Sequence, residues 1–303
     1  ALAEGAALLS QSEEYAALEM AGMGGTFEAS EPMRIALTGA SMRASIDGAR
    51  IAWNASHLLP KGARLEIGAA DTGNYGYLHV GGGIATAPVL TAQGAHLAAG
   101  IGALINPGDR LDVGPDRHDS TGLKLVPEDR FGGGTVRIVE SLQTGFFASD
   151  ELARFESITF QRGARGNRMG VNLVQSGKGF HSDAGLSVIS EVVVPGDIQI
   201  TGDGSPFVLL SECQTTGGYP RIGSVLPADL PRVAQARPGE DLRFSFVSLE
   251  EAVSIQVHTR QARQSLQSRL THLIRDPAKI ADLLHYQLIS GVTAGDDLDR
   301  INP

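Results

Sequence analysis

The chain has 303 residues, with 25 basic against 34 acidic side chains and a net charge of −9, enough length for two domains and a sizeable core. That acidic balance, with no basic stripe, argues against nucleic acid or an anionic membrane surface as partner, and no apolar run approaches the roughly 20 residues of a membrane span. Cys213 is the only cysteine, so an internal disulfide is excluded and nothing points to an oxidising compartment; with no basic-then-apolar leader at the start, cytoplasmic residence is the simplest expectation.

Glycine, 38 of 303 residues against a typical share of about 7%, is spread among Val, Ile and Leu runs, a pattern of short strands and tight turns. Ala1 to Leu9 and Glu13 to Met20 carry strong helix formers. Strand-like segments begin at Arg34 to Leu37. A hairpin over Ala44 to Trp53 turns on Asp47-Gly48, and Arg64 to Gly68 and Gly76 to Val80 continue the series. The polar stretch Arg117 to Gly134 closes on three glycines and reads as a linker.

Beyond it, Thr135 to Val139 opens a second β-rich unit, Ser149 is placed to cap a short helix to Phe155, and further strands lead to Arg243 to Val247. From Leu249 to Ile274 apolar residues recur at helical spacing, and Asp276-Pro277 starts a second helix ending near Gly291. The sequence thus divides into a first β unit over 1–134, a second over 135–248 and a helical extension over 249–303. The extension reads as a helical hairpin packed on the β units or as a dimer contact.

The run Gln214-Thr215-Thr216-Gly217-Gly218-Tyr219-Pro220-Arg221-Ile222 is the most informative, because it breaks from the apolar Phe207 to Leu210 into a polar loop just after Glu212. It sets an amide, two hydroxyls, a phenol and a guanidinium beside two glycines that let a ligand approach the backbone. Gln214, Thr215, Tyr219 and Arg221 are candidate donors, Glu212 is a candidate base or a partner holding Arg221, and Thr216, Gly217 and Gly218 could face a ligand. The plainer alternative is a hydrogen-bonded turn between strands. Asn167-Arg168-Met169-Gly170 follows the basic stretch Arg162 to Arg165, and Arg168 could grip a carboxylate in bidentate fashion or pair with a structural acid. Gln199, on a strand, could point into a barrel or into solvent.

Other chemistry is disfavoured. Gly81-Gly82-Gly83 lacks the following helix and lysine of a phosphate loop and reads as a glycine bend, and Gly177-Lys178-Gly179 also fails that pattern. The eight histidines show no paired metal-ligand spacing, so no metal is expected. No Gly-x-Ser-x-Gly elbow occurs, and Cys213 reads as a small buried hydrophobe.

The Gln214 to Ile222 run resembles the signature of the allophanate hydrolase subunit 2 family, also called KipA-like or biotin-dependent carboxyltransferase. Asn167 to Gly170, Ser190 to Gln199, Ala228-Asp229-Leu230, Ala234-Gln235 and Pro238-Gly239 match in order, as do Ala17-Leu18-Glu19, Ala36 to Ala40 and Tyr77 to Ile84. The resemblance implies a mainly β protein with two cyclophilin-like β-barrel domains, to which the tail adds the helical extension. It implies a KipI-like or allophanate hydrolase subunit 1 partner, and a role in an ATP-dependent enzyme processing an amide, ureide or lactam. Within it, one branch moves a carboxyl group from carboxybiotin to urea, with a biotin carboxylase and carrier. Another resembles the C subunit of 5-oxoprolinase and works with a separate catalytic subunit; a third is a non-catalytic KipA-like regulator. Biotin would be presented by a partner, and ATP used only through one. The family acid at Glu212 is more often aspartate. Its Gly-Ser-Arg-Ser-Thr run is replaced by Thr91 to Ala95, and its Gln-Asp-x-Gly-Arg-Pro-Gly segment would lie ahead of Ala1.

Overall fold

A computed structural model describes residues 1–185 and 188–274. The first half opens with α1 (Leu2–Leu9) and continues through β1 (Leu18–Ala21), β2 (Thr26–Glu28), β3 (Met33–Ile46), β4 (Ala49–Ile51), β5 (Ala55–Leu59), β6 (Arg64–Val80) and β7 (Leu123–Lys124). The second half comprises β8 (Gly134–Val139), α2 (Ser149–Ser157), β9 (Phe160–Gly166), β10 (Gly170–Val174), β11 (Glu191–Val192), β12 (Asp197–Ile200), β13 (Pro206–Leu209), β14 (Thr216–Gly217), β15 (Arg221–Val225), α3 (Leu230–Gln235) and β16 (Asp241–Phe246). After them come α4 (Leu249–Gln264), a 3-10 turn at Leu266–Arg269 and β17 (Thr271–His272). The protein is mainly β, as the sequence leads one to expect.

The first sheet runs β1-β6-β3-β5-β7-β17, with β2 also on β6 and β4 on β3. Its spine is the antiparallel pair of β3 and β6, and Asp47-Gly48, both at positive φ, turns β3 into β4. Gly39, at φ 79°, lets β3 bend there, because a side chain would strike the Tyr75 carbonyl. The second sheet closes on itself in the order β10-β13-β12-β15-β8-β16-β9, leaving no edge strand in the ring. Its interior is aromatic: Phe155 lies 5.0 Å from Phe160, 5.2 Å from Phe244 and 5.3 Å from Phe180 between ring centres. The core of the first sheet is built from Ala, Leu, Ile and Met.

Several local expectations are corrected. Glu13 to Met20 is not helical, since Leu18–Ala21 pairs with β6 and tertiary pairing overrides propensity. Arg64 to Gly68 and Gly76 to Val80 are two ends of one strand, β6. Ala148, not Ser149, is the residue ahead of α2, and it makes no side-chain cap. Arg117 to Gly134 is more than a connector: Lys124 pairs with β5, and Arg130 forms a bidentate bond to Glu4 of α1. By contrast, the glycine bend expected at Gly81-Gly82-Gly83 is present, a turn packed on Asp116, which Arg34 holds at 2.7 Å.

The extension is helical only to Gln264; Leu266 then packs with Leu8, Leu9, Ala36 and Leu125, and His272 pairs with Leu123. It thus docks on the first sheet. Val253 and Val257, which belong to the apolar spacing of Leu249 to Ile274, are exposed on α4. The second helix expected from Asp276 lies outside the described residues.

One amide joins the halves at backbone level. Gln235, at the end of α3, accepts from the backbone N–H groups of Asn74 and Tyr75 and donates to the Tyr75 carbonyl. Asn74 returns the arrangement by donating to the carbonyls of Ala234 and Ala236.

Candidate functional site

The Gln214 to Ile222 run leaves β13 through a turn whose Glu212 N–H donates to the Arg168 carbonyl. From there its side chains are dealt to three places. Gln214 and Tyr219 reach a cleft, Glu212 turns to a seam between the two sheets, and Arg221 enters the barrel wall.

The cleft, of about 300 Å³, is lined by Arg165, Asn167, Gln199, Thr201, Phe207, Gln214 and Tyr219 together with glycine and apolar positions. Three carboxamides therefore converge, and no carboxylate lines it. Gln199 is 3% exposed and resolves the ambiguity left by the sequence: it points to the cleft wall, where its Oε1 accepts from Gln214 Nε2 at 3.3 Å. Its own Nε2 is buried without a partner among the described residues, a cost of roughly 1–3 kcal/mol for an unsatisfied polar group. Gly217 must be glycine for this to happen, because a Cβ there would collide with that nitrogen. Asn167 uses its Oδ1 to accept from the Met169 N–H at 2.8 Å, which leaves its NH2 for a ligand. The Arg165 guanidinium lies 5.7 Å over the Phe207 ring and has no acid partner among the described residues.

In the seam, Arg168 stands between two carboxylates, with Nη1 2.7 Å from Glu19 and Nε 2.6 Å from Glu212. The second is a charge contact poorly aligned as a hydrogen bond, since both atoms lack a bond of good geometry. Tyr77 donates to the other Glu19 oxygen at 2.8 Å. Burial pushes the Tyr77 phenol well above its usual range, and the charge and hydrogen bond of Glu19 push the same way. Burial pulls the Arg168 pKa down, but the two carboxylates outweigh it and raise the net value. Glu19 and Tyr77 belong to motifs visible in the sequence, yet nothing local marks them as companions of Arg168, which lies 149 positions from Glu19.

Arg221 is a wall residue. Its Nη2 meets Glu191 at 2.6 Å, its Nη1 meets Asp197 at 3.2 Å and the Val192 carbonyl at 2.9 Å, and its backbone N–H donates to Gln143. The expectation that Glu212 holds it is corrected, because Glu212 holds Arg168 instead. Thr216 and Gly217 form β14 against β11, the Thr215 carbonyl accepts from the Val193 N–H, and Gly218 faces Ser190. These four therefore use backbone groups in pairing, and none of them lines the cleft. Cys213 is half-buried, and burial raises its thiol pKa.

This geometry can be set beside known proteins. Residues 1–246 match the family described as carboxyltransferase domain, subdomain A and B. The chain belongs to that family. It is 32% identical over 240 residues to the C subunit of 5-oxoprolinase from Escherichia coli (strain K12), covering 78% of this chain and 76% of the relative. To the urea amidolyase of Saccharomyces cerevisiae (strain ATCC 204508 / S288c) it is 24% identical over 255 residues, which is 77% of this chain but 14% of that protein. Among solved structures, TTHA0988 superposes with a TM-score of 0.74 at 28% identity over 80% of this chain; the chain spans about half, 48%, of that one. Among the described residues no helix is long and apolar enough to cross a membrane.

Proposed function

We propose that this carboxyltransferase-family chain is the ligand-binding subunit of an ATP-dependent enzyme that opens a cyclic amide of the 5-oxoproline type. The observation that carries the reading is the cleft in which the carboxamides of Gln199, Gln214 and Asn167 converge with no carboxylate in the lining. A lactam presents a carbonyl acceptor and an N–H donor on one edge, and a carboxamide is complementary to that edge. Donors held at the carbonyl would also stabilise the negative charge that develops on the oxygen as the amide is attacked. Gln199, Gln214 and Asn167 are the residues placed for this, and Tyr219, 42% exposed, closes the mouth.

The cleft offers no carboxylate, thiol or imidazole to start bond cleavage. Activation by ATP is therefore assigned to a partner subunit, in keeping with the similarity to the C subunit of 5-oxoprolinase over most of both chains. The seam quartet of Glu19, Tyr77, Arg168 and Glu212 lies apart from the cleft lining and is assigned to fixing the two sheets together. The ureido ring of biotin offers the same donor–acceptor edge, and the three carboxamides fit it; carboxylated on a partner, it would supply a transferable carboxyl group. The similarity to a urea amidolyase supports that second reading.

The test is ATP-dependent turnover by the chain co-purified with its partner subunits. One arm offers 5-oxoproline, the other urea with a biotinylated carboxylase. Glutamate formation that falls at least tenfold in Gln199→Leu, with the complex intact, is the expected outcome. Carboxylated urea instead would select the biotin reading, and silence in both arms would leave a binding or regulatory subunit of the KipA-like kind.

A further inference from the structure

Arg162 is the one ionised group in the barrel whose burial is not matched by a partner among the described residues. It lies two positions after the core residue Phe160 on β9 and is 6% exposed, against 3% for Asp197 and 2% for Gln143. Those groups are bonded to Arg221. Arg162 makes a single side-chain hydrogen bond, from Nη1 to the Gly163 carbonyl at 2.7 Å; its Nε is buried without an acceptor, and its Nη2 donates to nothing. No carboxylate lies within ion-pair distance of it among the described residues.

Burying an ionised group without a counter-ion is expensive, and proteins normally pair such a group or lose it. Arg162 has been kept, and the backbone is shaped around it. Gly166 lies against the guanidinium, where a Cβ would stand 2.5 Å from Nη2 and 2.9 Å from Cζ. The same Gly166 lines the cleft. A cation therefore sits directly behind the cleft wall, with the second unpaired guanidinium, Arg165, at the rim and no acid in the lining. In a chain of net charge −9, that is a local reversal of sign. Nearby Tyr75 offers a phenol and no charge, and burial together with Glu19 raises that phenol's pKa.

We propose that Arg162 is the anchor of a small-oxyanion site at the Gly166 wall of the cleft, taking a carboxylate, carbonate or phosphate group as the counter-ion the fold omits. Nε and Nη2, which form the one edge of its guanidinium without an acceptor, match the two oxygens of such a group, while Arg165 supplies long-range attraction at the mouth. This site stands on the geometry of Arg162 and Gly166 and does not require the lactam reading. If both hold, the ligand of the cleft is a cyclic amide that carries a carboxylate.

The experiment is equilibrium binding and thermal unfolding of the whole chain with three probes: inorganic phosphate, 5-oxoproline, and its uncharged analogue 2-pyrrolidone. Wild type is expected to bind phosphate with an affinity that falls as salt is raised, and to gain thermal stability from it. Arg162→Met should lose phosphate affinity at least tenfold, yet unfold at or above the wild-type temperature when no anion is present, because an unpaired buried charge has been removed. A merely structural arginine would lower that temperature. Arg162→Lys should retain part of the affinity, and Gly166→Ala, which crowds the guanidinium while leaving its charge, should lose it; these two carry the test if Arg162→Met fails to fold. Equal phosphate binding by wild type and Arg162→Met overturns the proposal. Phosphate protection confined to wild type, with neither lactam bound, keeps the anion site and removes the lactam reading. Binding of 2-pyrrolidone with no gain for 5-oxoproline and no effect of phosphate does the reverse.

Discussion

Two stretches of the barrel wall bury an arginine to nearly the same depth and treat it in opposite ways. At the β15 end, Arg221 is 8% exposed and meets two carboxylates, a carboxamide oxygen and a backbone carbonyl. At the β9 end, Arg162 is 6% exposed and meets one carbonyl. The first is a closed account of charge that fixes β11, β12 and β15 relative to one another; the second is an open one. The difference teaches that burial alone does not separate a structural charge from a binding charge. The count of satisfied donors does.

The comparison breaks most visibly at Arg221. Arg221→Met leaves Asp197, whose side chain is 4% exposed, and Glu191 without their cation, and a loss of about 3–5 kcal/mol in urea unfolding is expected, the usual result of removing one partner of a buried pair. A loss below about 1 kcal/mol would show that the corner is not the closed pair described. Arg162→Met in the same assay is the contrasting case, with no loss expected.

A buried titratable group of the first sheet sharpens the contrast between paired and unpaired burial. His79 is 3% exposed and hydrogen-bonded to Thr38 at 2.9 Å, and burial, helped by the nearby amino group of Ala1, pulls its pKa down to about 3. Its folded value lies below its unfolded one, so its contribution is fully present above about pH 6.5 and is lost as pH falls toward 3. The expected slope reaches about 1.4 kcal/mol per pH unit. His79→Gln should flatten the stability profile across that window.

Smaller again is the seam. Glu212→Gln removes one of two carboxylates from Arg168, which is still held by Glu19 and is partly exposed. A cost of about 1 kcal/mol is expected, with a measurable coupling to Glu19→Gln in a double-mutant cycle. The smallest effect falls on α4, where Val257 is 49% exposed. Val257→Glu should change stability by no more than about 0.5 kcal/mol, and a larger loss would mean that the α4 stripe is covered in solution.

The sequence carried the β character, the Asp47-Gly48 hairpin and the strands on either side of the Gln214 run, because each rests on a local period or a turn residue. It misled wherever pairing at a distance decided the outcome. Glu13 to Met20 carries helix formers, yet Leu18 to Ala21 becomes a strand against β6, and the helical spacing read to Ile274 outlasts the helix, which stops at Gln264 before the chain turns back to the first sheet. The site divided in the same way. Asn167, Gln214 and Tyr219 were legible as a polar loop and do share a cleft, but the run's remaining residues part company because alternate positions along a strand face opposite sides. Glu212 and Arg168 do meet, although their meeting with Glu19 depends on the other half of the chain. Arg162 was visible only as the start of a basic stretch; its isolation is a property of the fold.

The amide of Gln235 gives the joint between the halves an unusual tolerance. The exchange with Asn74 and Tyr75 is made in the same neutral bonds that hold a sheet together, so ionic strength has no grip on it, whereas Arg168 and its carboxylates loosen as salt screens them. In concentrated electrolyte the molecule would keep its register at this stitch and lose only its electrostatic trim. The alignment of cleft and first sheet is thereby insulated from changes in the surrounding electrolyte.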